Sequence, residues 1–327
     1  MARMDTEVKL ALLGAGAQHD LCGAEGRRAA APRRRDLTQC VTHALMPGGR
    51  RIRLLKILLS SVCRNDCAYC AFRAARDVPR AAFAPEELAH CFHQMWQAGL
   101  VDGLFLSSGV GLDPVREMDR MLATVEILRQ RLGFRGYVHL KILPGAEEAQ
   151  VERAAALADR ISTNLEAPTP QRLARLSRAK AFQEQLLRAL EAASRQARAA
   201  ARPKPVSVTS QFVVGAADET DWELLCTAHT LYRGLGLARI YYSPFRPIPD
   251  TPLEGHAPTP LLREHRLYQA DSLLRLYGFG AEDLVFDAGG NLPLDRDPKL
   301  AWALAHPQHF PVEVNRAGRH LLLRVPG

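Results

Sequence analysis

From residue 52 onward, short apolar runs alternate with longer amphipathic stretches. Six runs, at residues 54–62, 103–106, 137–143, 160–165, 206–214 and 239–243, read as strands bounded by Gly, Pro, Ser or Asn. The stretches at 85–98, 114–132, 146–158, 170–201 and 221–235 read as helices. Pro85, followed by Glu86 and Glu87, marks one helix start, and Gly133 marks the end of the next helix. Strands separated by helices imply βαβ crossovers and a parallel sheet. The expected fold is therefore α/β, a partial (βα)6 TIM-like barrel, with a doubly wound open sheet as the alternative. In both, ligands collect at the C-terminal ends of the strands.

Around this core the pattern suggests an N-terminal approach segment over 1–50, the barrel over 51–250 and a helical C-terminal extension over 251–327. Arg27, Arg28, Arg33, Arg34 and Arg35 make a basic stretch that reads as a solvated loop or a phosphate-facing arm. A Pro47-Gly48-Gly49 turn leads into the first strand. Cys40 and His43 just before it read as a buried thiol and a hydrogen-bonded core histidine.

Composition narrows the class. The chain has 327 residues, 47% hydrophobic and 24% charged, which suits a globular protein. No apolar run approaches the roughly 20 residues needed to cross a bilayer. The first apolar patch is short and is broken by Asp5 and Glu7, so it does not read as a secretion signal. These features predict a cytoplasmic protein with no membrane partner. The net charge of +8 points weakly to an anionic partner such as nucleic acid.

Seven cysteines are an odd count, and four of them scatter, which argues against a disulfide framework. Cys63, Cys67 and Cys70 cluster in C-x3-C-x2-C spacing directly after the first strand. Three thiolates on one loop can grip a metal centre, and three protein ligands leave one position open. A structural zinc with Cys40 or His43 as fourth ligand is the competing reading. It lacks the second cysteine knuckle such sites favour.

The cysteine spacing, with Tyr69 just before Cys70, resembles the radical S-adenosylmethionine (radical SAM) superfamily. The resemblance implies a 4Fe–4S cluster held by Cys63, Cys67 and Cys70, with S-adenosylmethionine on the open iron and Tyr69 against its adenine. Ser107, Ser108 and Gly109 stand where the family meets the methionine amino group, though the usual carboxylate is missing. Asn164 and Glu166 resemble the segment that holds the ribose; helix capping is the competing role for Asn164. Gly215 falls in the segment that packs on adenine, with Asp218, Glu219 or Thr220 capping the next helix. The proline-rich run 241–254 resembles the family's loop over the barrel mouth. Arg73, Arg80, Lys141 and Arg246 are expected near that mouth, where they could hold a phosphate or carboxylate. No residue is assigned to hydrogen abstraction itself.

Segments 54–59, 77–88, 103–110, 267–279, 291–304 and 310–317 further resemble a bacterial subfamily described as putative DNA modification or repair radical SAM proteins. That subfamily is associated with a uracil-DNA-glycosylase-like partner. The resemblance implies reductive cleavage of S-adenosylmethionine to a 5′-deoxyadenosyl radical, fed by a ferredoxin- or flavodoxin-type reductant, with DNA or a nucleotide as substrate. Radical chemistry on a peptide or small metabolite, and a non-catalytic metal-stabilised nucleic-acid-binding protein, are the alternatives. The run 321–327 resembles the first helix and hairpin entry of a helix–hairpin–helix motif, whose second helix would lie past Gly327.

Overall fold

The computed structural model describes residues 4–17, 40–45 and 49–326. Seven strands form one sheet in sequence order: β1 (Val41–Leu45), β2 (Arg51–Leu58), β3 (Gly103–Ser107), β4 (Tyr137–Lys141), β5 (Arg160–Ser162), β6 (Ser207–Val214) and β7 (Arg239–Pro244). From β2 to β7 every pairing is parallel, which gives the expected half-barrel rather than the doubly wound alternative, whose strand order doubles back. The helices are α1 (Thr6–Ala17), α2 (Pro85–Gln97), α3 (Pro114–Glu126), α4 (Glu148–Leu157), α5 (Pro170–Leu176), α6 (Arg188–Ala199), α7 (Asp221–Leu235), α8 (Leu261–Leu276), α9 (Pro298–Ala305) and the single turn α10 (Arg319–Leu322).

Register separates the two faces of the sheet. Leu55, Ile57, Leu104, Leu106, Val138, Leu140, Ile161, Phe212 and Ile240 alternate onto one face and join the helices in a single core. The opposite, inner face carries a row formed by Lys56, Phe105, His139, Arg160 and Ser207, paired strand to strand. Hydrophobic burial over the outer face supplies the main driving force for the fold.

Three expectations need correction. Segment 1–50 is more than an approach: α1 packs against β2, and β1 joins the barrel sheet antiparallel to β2, with Val41 opposite Leu55. The five residues of β1 carry too little pattern to stand out, and Pro47 and Gly48 of the expected turn lie outside the described residues, as does the Arg27–Arg35 stretch. His43 is exposed on β1 rather than a core histidine, while Cys40 is buried and donates to the Leu10 carbonyl at 3.3 Å. The helical stretch 170–201 breaks after α5. An extended Ser177 intervenes, and a π-helical turn (Phe182–Leu187) precedes α6.

The open edge at β7 is covered by α7 and α8. Backbone N–H groups of Ile240 and Tyr242 donate to the hydroxyls of Tyr232 (2.8 Å) and Tyr268 (3.2 Å). Fully buried Asp271 accepts from the Tyr232 and Tyr242 hydroxyls and pairs with Arg275 at 2.7 Å. The network satisfies the edge donors that would otherwise template pairing with another chain. In the C-terminal extension Arg324 is buried against the rings of Phe279 and Trp302 and pairs with Asp283 at 3.0 Å. The run 321–326 is thus docked on the body by its arginine after a single helical turn.

Candidate cluster and S-adenosylmethionine site

The cysteine loop leaves β2 and is closed at its neck. Phe83 N donates to Leu59 O at 2.9 Å and Ser61 N to Ala81 O at 3.0 Å. Arg80 fills the loop from inside, donating to the carbonyls of Ser61, Phe72, Arg73 and Arg76 and lying over the Phe72 ring. Its guanidinium is therefore committed to loop carbonyls, not turned to a substrate anion. A planar fork with five donors suits this, which a lysine could not do.

Cys67 is buried, and Cys63 and Cys70 are half-buried. Burial pushes the Cys67 thiol up, and burial together with Cys67 pushes Cys70 up to about 12. Such thiols give up their protons to a metal rather than to water. The N–H of Phe72 lies 3.4 Å from Cys70 Sγ, a contact of the kind that tunes a cluster's potential. Among the described residues no three His, Cys, Asp or Glu side chains converge on a single-ion site, and exposed His43 and carbonyl-bound Cys40 do not supply a fourth zinc ligand. Three thiols spread around one short loop fit a polynuclear cluster, whose irons stand at separate corners.

Ser107 ends β3 inside the sheet, and Ser108 bridges the chain behind the loop. The Ser108 hydroxyl accepts from Ser60 N (3.1 Å) and donates to Glu117 (2.7 Å), a buried carboxylate of α3 paired with Arg120. Glu117 of the following helix thus brings a carboxylate against Ser108. Gly109 lets the cysteine loop pass close by: an added Cβ would lie 2.3 Å from Val62 O. Cys63 and Gly111 then bridge in parallel.

Asn164 and Glu166 follow β5. Asn164 does not cap α5, a role filled by Thr169. Its Nδ2 lies 3.5 Å from Glu166 Oε2. Glu166 adopts φ 67°, a left-handed backbone that costs a non-glycine residue energy and tends to persist at functional sites. That turn aims its carboxylate at Lys180, 2.9 Å away, with both side chains less than a tenth exposed. The Lys180 ammonium also sits 3.4 Å from the Tyr69 hydroxyl and over the Tyr69 ring. Burial works against this ammonium, but Cys67 and Glu166 outweigh it and hold its pKa above the ordinary lysine range.

Lys180 was not legible in sequence because residues 170–201 read as one helix. The break that delivers it is made by Asp66 in the cysteine loop, whose carboxylate accepts from the Ser177 hydroxyl and from the N–H groups of Arg178 (3.1 Å) and Ala179 (3.3 Å). Ala68 N takes the Leu176 carbonyl at 2.7 Å. The loop thus competes for the helix's own backbone groups, much as side-chain acceptors compete at any helix end.

Gly215 has φ 83°, donates its N–H to Glu219 and offers its carbonyl to His256 Nε2 at 2.9 Å. The space a side chain would need is taken by Thr259. Thr220 caps α7 in a capping box with Glu223. The proline-rich segment after β7 reaches the cysteine loop, where Asp250 lies 3.8 Å from Arg76.

The comparisons agree with this geometry. A family profile described as Radical SAM superfamily matches residues 57–231. Methylornithine synthase shares the fold at 17% identity and TM-score 0.54, over 67% of this chain and 60% of that one. The FeFe-hydrogenase maturase HydG from Carboxydothermus hydrogenoformans does so at 16% and 0.54, over 68% and 51%. The matched region thus spans between half and three-fifths of these proteins' length. No curated protein matches the chain. With the profile covering more than half of its residues and the three cysteines at the end of β2, the chain belongs to the radical SAM superfamily, whose members use a 4Fe–4S cluster and S-adenosylmethionine.

Proposed function

We propose that the protein is a radical SAM enzyme in which Cys63, Cys67 and Cys70 hold the cluster and Tyr69, Ser107, Ser108, Asn164, Glu166 and Lys180 hold S-adenosylmethionine. The observation that carries this is the buried Lys180–Glu166 pair set against Tyr69 and the cysteine loop. A zwitterionic amino acid joined to a nucleoside asks for a cation, an anion and an aromatic face in one place, and these residues supply them. When bound, cluster and cosubstrate together supply one-electron cleavage of a carbon–sulfur bond and so a carbon radical for hydrogen abstraction. The protein's part is to bind, orient and exclude water. The inner face of the sheet is where substrate would meet that centre.

For the substrate we take a nucleotide or DNA, with a ferredoxin- or flavodoxin-type reductant and a uracil-DNA-glycosylase-like protein as partners. The subfamily resemblance and the net charge of +8 support this. Anaerobic reconstitution with iron, sulfide, dithionite and S-adenosylmethionine tests the chemistry. 5′-Deoxyadenosine and a cluster EPR signal altered by S-adenosylmethionine are expected, and absence of both sinks the enzyme reading. Turnover raised by DNA or nucleotide, with binding that weakens steeply as salt rises, is expected of the substrate class.

A further inference from the structure

The row Lys56, Phe105, His139, Arg160, Ser207 continues on the same face with Lys141, Ser162, Thr209 and Arg239, then Gln211 and Tyr241. Four of these are lysine or arginine. None of the strand positions on this face is Asp or Glu. Strand positions that bear charge of one sign, in a low-dielectric half-barrel, favour an anionic counter-group.

Arg160 shows the bias most plainly. Its Nε donates to Ser207 Oγ at 2.9 Å and its Nη1 to the Tyr241 hydroxyl at 3.0 Å, so two neutral groups hold the guanidinium in place. Among the described residues no carboxylate pairs with it. One row nearer the cysteine loop, Thr209 is fully buried and its hydroxyl has no hydrogen-bond partner among the described residues. A buried polar atom without a partner is costly, and each one in a native protein calls for an explanation, of which a bound group is one. His139 lies beside them, 2.8 Å from Ser162 Oγ and edge-on to Phe105.

From this we infer that the substrate is an anion that enters the half-barrel and sets a phosphate or carboxylate group against Arg160 and Thr209, below the radical centre. The inference rests on the reading of the inner face as the reaction chamber and narrows its substrate class. Arg160 offers a fork matched to an oxyanion and held by its two hydroxyl partners, so little is reorganised on binding. Phe105 and Tyr241 supply apolar surface beside the charge for the rest of the molecule.

Calorimetric titration of the reconstituted protein, without S-adenosylmethionine, tests this with inorganic phosphate, a deoxynucleoside monophosphate, the matching nucleoside and succinate. The expected result is that phosphate binds and that the nucleoside binds at least about tenfold more weakly than its monophosphate. A monophosphate tighter than phosphate assigns the group to a nucleotide; succinate tighter than phosphate assigns it to a carboxylate. Arg160→Gln is expected to weaken the preferred anion about tenfold or more. Should that variant not fold, Thr209→Val removes the unpartnered hydroxyl without touching the bonds of Arg160, and is expected to weaken the anion while leaving the unfolding midpoint unchanged or higher. No anion binding, equal binding of nucleoside and monophosphate, or unchanged affinity in the folded variant overturns the inference. Because the titration reads no turnover, its failure is distinct from failure of the deoxyadenosine assay.

Discussion

Lys180 Nζ lies 2.9 Å from Glu166 Oε1 across a buried gap between the break after α5 and the left-handed turn after β5. Neither residue would be buried alone, because an unpaired charge in that position would have lost its water without compensation. The pair stands against the cysteine loop at Tyr69 and so joins three separated segments of chain in one site.

Breaking the pair on one side leaves a buried carboxylate. Lys180→Met is expected to cost about 3–5 kcal/mol of folding stability, and Lys180→Met with Glu166→Gln to recover much of it. Urea unfolding of the wild type, the single and the double variant checks this. A single variant as stable as wild type would show that the gap admits water.

Asp66 positions Lys180 without approaching it through its own charge. Asp66→Ala releases the N–H groups of Arg178 and Ala179, and α5 is expected to run on past Ser177. Affinity for S-adenosylmethionine is expected to fall about tenfold or more as Lys180 leaves the site. Equilibrium binding of S-adenosylmethionine to the reconstituted variant is the measurement. Retained affinity together with an unchanged helix signal in circular dichroism would contradict the role.

Gly109 is held to glycine by the close pass of the cysteine loop. Gly109→Ala sets a methyl into the Val62 carbonyl, so the start of the loop must shift. Iron content after reconstitution is expected to fall, and the unfolding midpoint to drop. Full iron loading with an unchanged midpoint would show that the loop yields freely. Cys63→Ser, Cys67→Ser and Cys70→Ser are each expected to remove the cluster's visible absorbance.

One acid-sensitive contact lies far from the site. Hydrogen bonds from the Arg53 side chain and backbone hold the Asp102 carboxyl at about 2, against 3.8 ordinarily. A lowered carboxyl contributes stability above its unfolded pKa and loses it as pH falls, here between 3.8 and about 2. The pair is well exposed, so the effect is that of a surface ion pair, much reduced by screening. Asp102→Asn should show a smaller loss of urea midpoint across that window than wild type does. Identical slopes would rule the contact out as a contributor.

Asp271 ties β7 to α7 and α8. Asp271→Ala orphans the buried Tyr242 hydroxyl and frees Arg275. A drop of several kcal/mol is expected, with greater aggregation on partial heating as the β7 edge is uncovered. Light scattering beside the thermal melt reads both effects.

What the sequence determined by itself was local and periodic. Apolar runs and amphipathic stretches set the order of β2 through β7 and the helices between them, because burial on one face imposes a spacing that one segment can display. Cys63, Cys67 and Cys70 were legible because a single short loop carries all three. The tertiary structure decided everything that depends on two distant segments meeting. Val41 shows no sign of its partner Leu55 until β1 is paired, and Lys180 reads as helix surface until Asp66 withdraws the helix's hydrogen bonds. Arg160 looks like one arginine among many until strand register sets it on a face whose strand positions carry no carboxylate. Charge and hydrogen bonding act through space, so their partners are fixed only when the fold brings them within a few ångströms.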